Sequence, residues 1–314
     1  MSSSAIVKHK IHAWQLVLCA GVCGYLLLAV STKTIHSYHW FLLAAIPAAF
    51  LAAERGRQFF LDWAPLIAFW LVYDRLRLLQ PLLLDRVSVE NPFIIERWAF
   101  GWLAGGQVPA HAARSWLASN VNHFPGSVIS LTAQLVYFSH LFAVPLFLIW
   151  LWVRGKASAK HRERFARHML AFAVMSFMAI IIYLLLPVAP PWWVSLHGMA
   201  QPTGELLAQT RIDAAMEGTL IQGMIKNAAQ WFAAVPSLHG AYPALLALLA
   251  LRDRSRKTVA LLIIYGVAMW AATVILNQHY IIDLIAGALI ALVTWLISPR
   301  IKYPAATKPS SLPV

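Results

Sequence analysis

The chain has 314 residues, 60% of them apolar and only 12% charged, with a mean hydropathy of +0.66. Soluble domains carry about 25% charged residues, so a water-soluble globule is excluded and an integral membrane protein is indicated. A net charge of +13 would suit a nucleic-acid partner, but the placement of the basic residues assigns them to the membrane surface instead.

Crossing roughly 30 Å of hydrocarbon at about 1.5 Å per residue takes about 20 residues. Eight apolar runs qualify, at about 11–31, 38–53, 59–79, 127–153, 167–186, 237–252, 258–276 and 280–298. The second and sixth are the shortest. The first is too long for a signal-peptide core and lacks a small-x-small cleavage site, so it is read as a span. The two cysteines, Cys19 and Cys23, lie one turn apart inside it and read as packing residues. The expected fold is an all-α polytopic bundle of about eight transmembrane helices. Two amino-terminal helices (1–58) precede a membrane catalytic domain (59–300), and a cytoplasmic tail (301–314) follows.

With the amino terminus in the cytoplasm, Lys8, Lys10, Arg55, Arg57, the 154–167 cluster, the 252–257 cluster, Arg300, Lys302 and Lys308 all fall inside. These are 17 of the 25 Lys and Arg residues. The positive-inside rule therefore predicts both termini in the cytoplasm, with the basic residues facing anionic headgroups. The inner connections are short, whereas the outer ones, about 80–126 and 187–236, are long. The first carries Trp98, Trp102 and Trp116 like an interfacial belt. The second begins LLLPVAPPWW, whose prolines stop the fifth run, and continues with helical periodicity.

The sixth and eighth runs both begin at the outer surface, with VPSLHGAYP and NQHYIIDLIAG. His239 and His279 thus sit at two helix amino termini in one leaflet, where unsatisfied N–H groups favour phosphate-like anions. Asp283 lies one turn beyond His279 on the same face. A carboxylate at that depth needs a partner, and an imidazole N–H is the nearest. Holding one ring nitrogen of His279 leaves the other bare, as a nucleophile or base requires, and His239 is then placed to act as general acid. The plainer reading is a first-turn Asp at a helix end and a structural His. The histidines lack metal-ligand spacing, so no metal is expected.

PSLHG (236–240) and HYIIDLIAG (279–287) resemble the second and third signature motifs of the type-2 phosphatidic acid phosphatase superfamily. The resemblance implies His279 as a nucleophile forming a phosphohistidine, Asp283 as its activating partner and His239 as the residue assisting the leaving group. It also implies a six-helix phosphatase-like core and a mechanism without metal or cofactor. Ser237 and Tyr280, inside the same motifs, are expected to contact substrate. The ordinary phosphatases add a Lys-x6-Arg-Pro motif and an Arg six residues before the nucleophile. Here the former is absent and the latter position is Thr273. Together with LPVAPPWW, the pattern is more similar to the inositol phosphorylceramide synthase branch. That branch transfers a phosphorylated headgroup from a phospholipid donor to a lipid hydroxyl.

Arg75 and Arg77, in YDRLR at the outer end of the third run, are the candidate phosphate cations; they read equally as snorkelling anchors. Arg97 and Lys226 are the other outer candidates. Tyr137 and His140, in the fourth run, read first as buried packing. The expectation is therefore a lipid phosphotransferase in a bacterial inner membrane, its site facing the periplasm or lumen. A lipid-phosphate or polyprenyl-phosphate phosphatase, with water as acceptor, and a non-catalytic scaffold or transporter are the alternatives.

Overall fold

The structure is a computed structural model that describes residues 13–34, 39, 41–155, 158–210, 228–253 and 256–298. The helices are α1 (Ala13–Ser31), α2 (Phe41–Arg75), α3 (Glu90–Phe100), α4 (Pro109–Asn120), α5 (Gly126–Gly155), α6 (Ala159–Leu185), α7 (Pro191–His197), α8 (Gly204–Gln209), α9 (Leu238–Arg252), α10 (Arg256–Ile275) and α11 (Ile281–Ile297). Short 3-10 turns fill Leu76–Leu78, Gln80–Arg86 and Gly101–Ala104. The all-α class expected from composition is what the chain adopts.

Among the described residues, α1, α5, α6 and α10 are long and apolar enough to cross a membrane, and α9 and α11 are shorter apolar helices. The second and third apolar runs do not separate: residues 41–75 form one 35-residue helix. The polar AERGRQ between them lowers hydropathy, but its Ala, Glu, Arg and Gln are strong helix formers and only Gly56 is weak. A hydropathy minimum is not a turn signal. Helix α6 starts eight residues before its apolar run, because Lys160, Arg162, Arg164 and Arg167 also favour helix.

Two compact units divide at residues 67 and 68. In the first, Trp14 meets Phe60 at 6.1 Å between ring centroids, and Gln58 donates to Asp62 Oδ1 at 2.7 Å. The second unit holds everything that follows. There α9 and α11 cross so closely that a Cβ on Gly287 would stand 2.2 Å from the Ser237 carbonyl oxygen, and one on Gly240 would stand 2.8 Å from that of Leu284. The glycines of the two motifs are thus packing glycines, and they allow the starts of these helices to touch. The Ser237 N–H donates to the Asp283 carbonyl at 3.0 Å, locking the crossing.

At the same end, three extended stretches pair around Val188, which bridges Ser88 on one side and Ala233 on the other. The Val188 N–H donates to the Phe232 carbonyl at 2.9 Å, and Ala189 N–H to that of Ser88 at 3.0 Å. This ladder ties the two long connections, about 80–126 and 187–236, together just before Pro236, whose carbonyl accepts from the Tyr183 hydroxyl at 2.8 Å. Trp192 and Trp193 are 3% and 0% exposed, packed with Tyr137, Phe232 and Leu276. They are the core of this cap, because Pro190 and Pro191 open α7 and fold it inward. Trp98 and Trp102, at 85% and 75% exposure, do match a belt.

The opposite end of the bundle is held by charge. Arg164 pairs with Asp253, Arg167 lies 4.0 Å from the same carboxylate, and Arg252 reaches Ser298 Oγ (2.7 Å) and the Trp295 carbonyl (2.6 Å).

Candidate active site

His239, in the first turn of α9, and His279, two residues before α11, meet where these helices cross. His239 Nδ1 lies 3.1 Å from His279 Nε2, and His279 Nδ1 lies 3.3 Å from Asp283 Oδ2. Asp283 is fully buried and its Oδ2 also accepts the Tyr280 N–H at 2.8 Å. With Asp283 ionised, His279 donates through Nδ1, so its Nε2 carries the lone pair and His239 donates to it through Nδ1. The three side chains singled out from sequence stand in one relay, with Nε2 of His279 at its centre. His279 is 7% exposed, so bulk water has little access to it.

Asn277, in the left-handed region at φ 58°, turns the chain between α10 and α11 and anchors it by donating to Ser195 Oγ at 2.8 Å. The Thr273 carbonyl accepts from Gln278 N–H at 2.8 Å. Thr273, where the ordinary phosphatases would carry arginine, is fully buried, and its hydroxyl is spent on the Trp270 carbonyl.

Of the expected substrate contacts, Ser237 is the N-cap of α9: fully buried, its Oγ accepts the Gly240 N–H at 3.3 Å. Tyr280 is fully buried beside Val108 and Ala110, with its hydroxyl unpartnered among the described contacts. Arg75 and Arg77 converge on Asp74: Arg77 donates to Asp74 Oδ1 at 2.7 Å and Arg75 Nε to Oδ2 at 3.0 Å. Arg97 donates to the Gly106 carbonyl at 2.9 Å. It lines a shallow groove of about 380 Å³ with Phe93, Trp98 and Trp102, and this groove contains none of the three relay residues. Lys226 lies outside the described residues. No three His, Cys, Asp or Glu side chains converge as a metal would require among the described residues.

Three residues at the site were not legible as such. Tyr137 stacks on His239 with 4.5 Å between centroids, and His140 meets the same ring edge-on at 4.2 Å. The His140 Nδ1–H donates to the Tyr137 carbonyl at 2.6 Å. Their i, i+3 spacing puts them on one helix face, and the site descends far enough into the bundle to meet it. The third is Glu96. Its carboxylate accepts the Ile281 and Ile282 N–H groups at 2.9 and 3.1 Å, filling the amino terminus of α11 from another helix. The expectation that this helix end is free for phosphate is therefore corrected: Glu96 and Asp283 already occupy its N–H groups. Burial pushes the Glu96 carboxyl up from its ordinary value, partly offset by those two N–H groups and reinforced by the nearby Asp283.

Comparison with known proteins gives a consistent placement. The profile of the PAP2 superfamily matches residues 111–297, well over half the chain. A phosphoinositol dihydroceramide synthase of Bacteroides thetaiotaomicron is 25% identical over 281 residues, covering 87% of each chain. The inositol phosphorylceramide synthase catalytic subunit aur1 of Schizosaccharomyces pombe is 27% identical over 42% of this chain and 32% of its own. The inositol phosphorylceramide synthase of Candida albicans is 29% identical over 39% of this chain and 26% of its own. The chain thus spans most of the bacterial relative but only about a third or less of these fungal ones. No solved structure matches it significantly. With the motif histidines joined to Asp283 inside an apolar helical bundle, the chain belongs to the PAP2 superfamily, in its inositol phosphorylceramide synthase-like branch, and is an integral-membrane enzyme of the lipid phosphotransferase and phosphatase class.

Proposed function

We propose that this enzyme moves a phosphorylated headgroup, of the inositol phosphate type, from a phospholipid to a lipid hydroxyl through a phosphohistidine on His279. The observation that carries the proposal is the His239, His279, Asp283 relay. Phosphate enters between the two imidazoles, replacing their 3.1 Å hydrogen bond. His279 Nε2 attacks phosphorus, the bond from phosphorus to the donor's glycerol oxygen breaks, and His239 Nδ1 gives that oxygen its proton. Asp283 holds the Nδ1–H of the cationic phosphorylated ring. The acceptor hydroxyl then attacks phosphorus, the N–P bond breaks, and the hydroxyl proton passes to His239. Arg75 and Arg77 offset phosphoryl charge from the end of α2, while Ser237 and Tyr280 shape the seat. Residues 59–300 form the catalytic domain of a bacterial inner-membrane protein whose termini are cytoplasmic and whose site faces the periplasm or lumen.

Transfer is favoured over hydrolysis by two features: the site is nearly closed to water at His279, and a buried Thr273 stands where the phosphatases use arginine. The test incubates wild type and His279→Ala with mixed phospholipids and a hydroxyl-bearing lipid, followed by lipid mass spectrometry and a free-phosphate assay. A new headgroup-bearing lipid without free phosphate, made only by wild type, is the expected outcome. Free phosphate with a dephosphorylated lipid would mean a phosphatase. With acceptor withheld, labelled headgroup phosphate should stay on wild-type protein and not on His279→Ala; a His279→Ala protein that still turns over overturns the mechanism.

A further inference from the structure

A helix amino terminus leaves its first N–H groups without intrahelical partners, and these are normally met by a local side chain, water or ligand. In α11 the partner comes from elsewhere. Glu96, fully buried and 185 residues distant in sequence from Ile281, accepts the Ile281 and Ile282 N–H groups with one carboxylate oxygen each. Asp283 accepts the Tyr280 N–H just before them. The two carboxylates therefore grip three consecutive N–H groups that immediately follow His279. Among the described residues, the one side-chain hydrogen bond that α11 makes to the His279 ring, Nδ1 to Asp283 Oδ2, is 3.3 Å long and shares its acceptor with Tyr280. Its direction depends on how firmly the 279–283 turn is held.

Glu96 sits on α3, a short helix of the first outer connection that carries exposed Ile94, Ile95 and Trp98. It precedes the region matched by the family profile. We propose that Glu96 is a positioning residue for the phosphoryl-transfer step: by capping α11 from α3 it sets the orientation of His279 toward phosphorus, and it makes the seating of α3 at the membrane surface a condition for turnover. The proposal rests on His279 being the nucleophile. Glu96 touches neither substrate nor the reacting atoms in it, so its effect falls on the chemical step and not on binding.

Two changes remove the same contact from opposite sides in the full-length protein. Glu96→Gln keeps the side-chain shape but points an NH2 group at one N–H. Ile281→Pro deletes one N–H at the first helical position, where proline is tolerated, and the extended Tyr280 (ψ 158°) suits a following proline. Each should lower kcat by about 10- to 100-fold while KM stays within about 2-fold, and the double variant should be no worse than the stronger single one, as expected for one shared contact. Initial labelling of the protein by donor, acceptor withheld, should slow in step with kcat. Unchanged kcat in both folded variants would overturn the proposal, as would a rise in KM at constant kcat or fully additive losses. If Glu96→Gln does not fold, Ile281→Pro decides alone by the same criteria. His279→Ala, measured alongside, separates the two claims: activity there removes the nucleophile assignment, whereas an inactive His279→Ala with fully active Glu96→Gln removes only the positioning role.

Discussion

Replacing Gly287 with alanine should separate catalysis from stability. The new Cβ would lie 2.2 Å from the Ser237 carbonyl oxygen and 3.1 Å from Ala241 N, both backbone atoms of the α9 start that carries His239. A comfortable carbon–oxygen contact is about 3.3 Å, so the two helices must part by roughly 1 Å. Overpacking of this kind costs about 1–3 kcal/mol, and alanine returns about 1 kcal/mol over glycine inside a helix, so the net destabilisation is only about 0–2 kcal/mol. The same movement pulls His239 from His279, now 3.1 Å apart, and a displacement of about 1 Å at reacting groups costs on the order of 100-fold in rate. Thermal unfolding in detergent together with headgroup-transfer turnover measures both quantities on one preparation. The control is Gly266→Ala in α10, whose Cβ would meet only the Pro243 side chain at an ordinary 3.5 Å and should leave turnover intact. A Gly287→Ala enzyme within about 3-fold of wild-type turnover would refute the claim that this crossing sets the distance between the histidines.

At the other end of the bundle, Asp253→Asn removes the counter-charge of Arg164 and Arg167. It should cost about 1–3 kcal/mol of stability, seen as a lower unfolding midpoint, with little change in KM. Burial pushes the His111 imidazole below its ordinary value, only partly offset by its bond to the Pro191 carbonyl. The folded state therefore prefers neutral His111. Its contribution is complete above the unfolded value of about 6.5 and is lost as pH falls from there through the lower folded value. The unfolding midpoint should drop on acidification below about pH 6.5, less steeply in His111→Gln, with His197 supplying residual dependence of the same sign. An unaltered slope in His111→Gln would remove the assignment.

Hydropathy settled the class of this protein because a bilayer constrains composition and run length independently of how helices pack. The pairing of His279 with Asp283 was likewise legible from their i, i+4 spacing, although the chain makes it through the capping turn that precedes α11 and not through a turn of the helix itself. The motif glycines could be read as signatures, yet their role in bringing α9 onto α11 follows only from the crossing. A continuous α2 was hidden because hydropathy reports solvent preference while backbone propensity decides whether a helix breaks. Tyr137, His140 and Glu96 entered the site only through contacts 99 to 186 residues apart in sequence, for which no local periodicity exists. Whether a helix amino terminus is free for phosphate is also a tertiary matter: sequence sets where its N–H groups are, and a distant carboxylate determines that they are already taken.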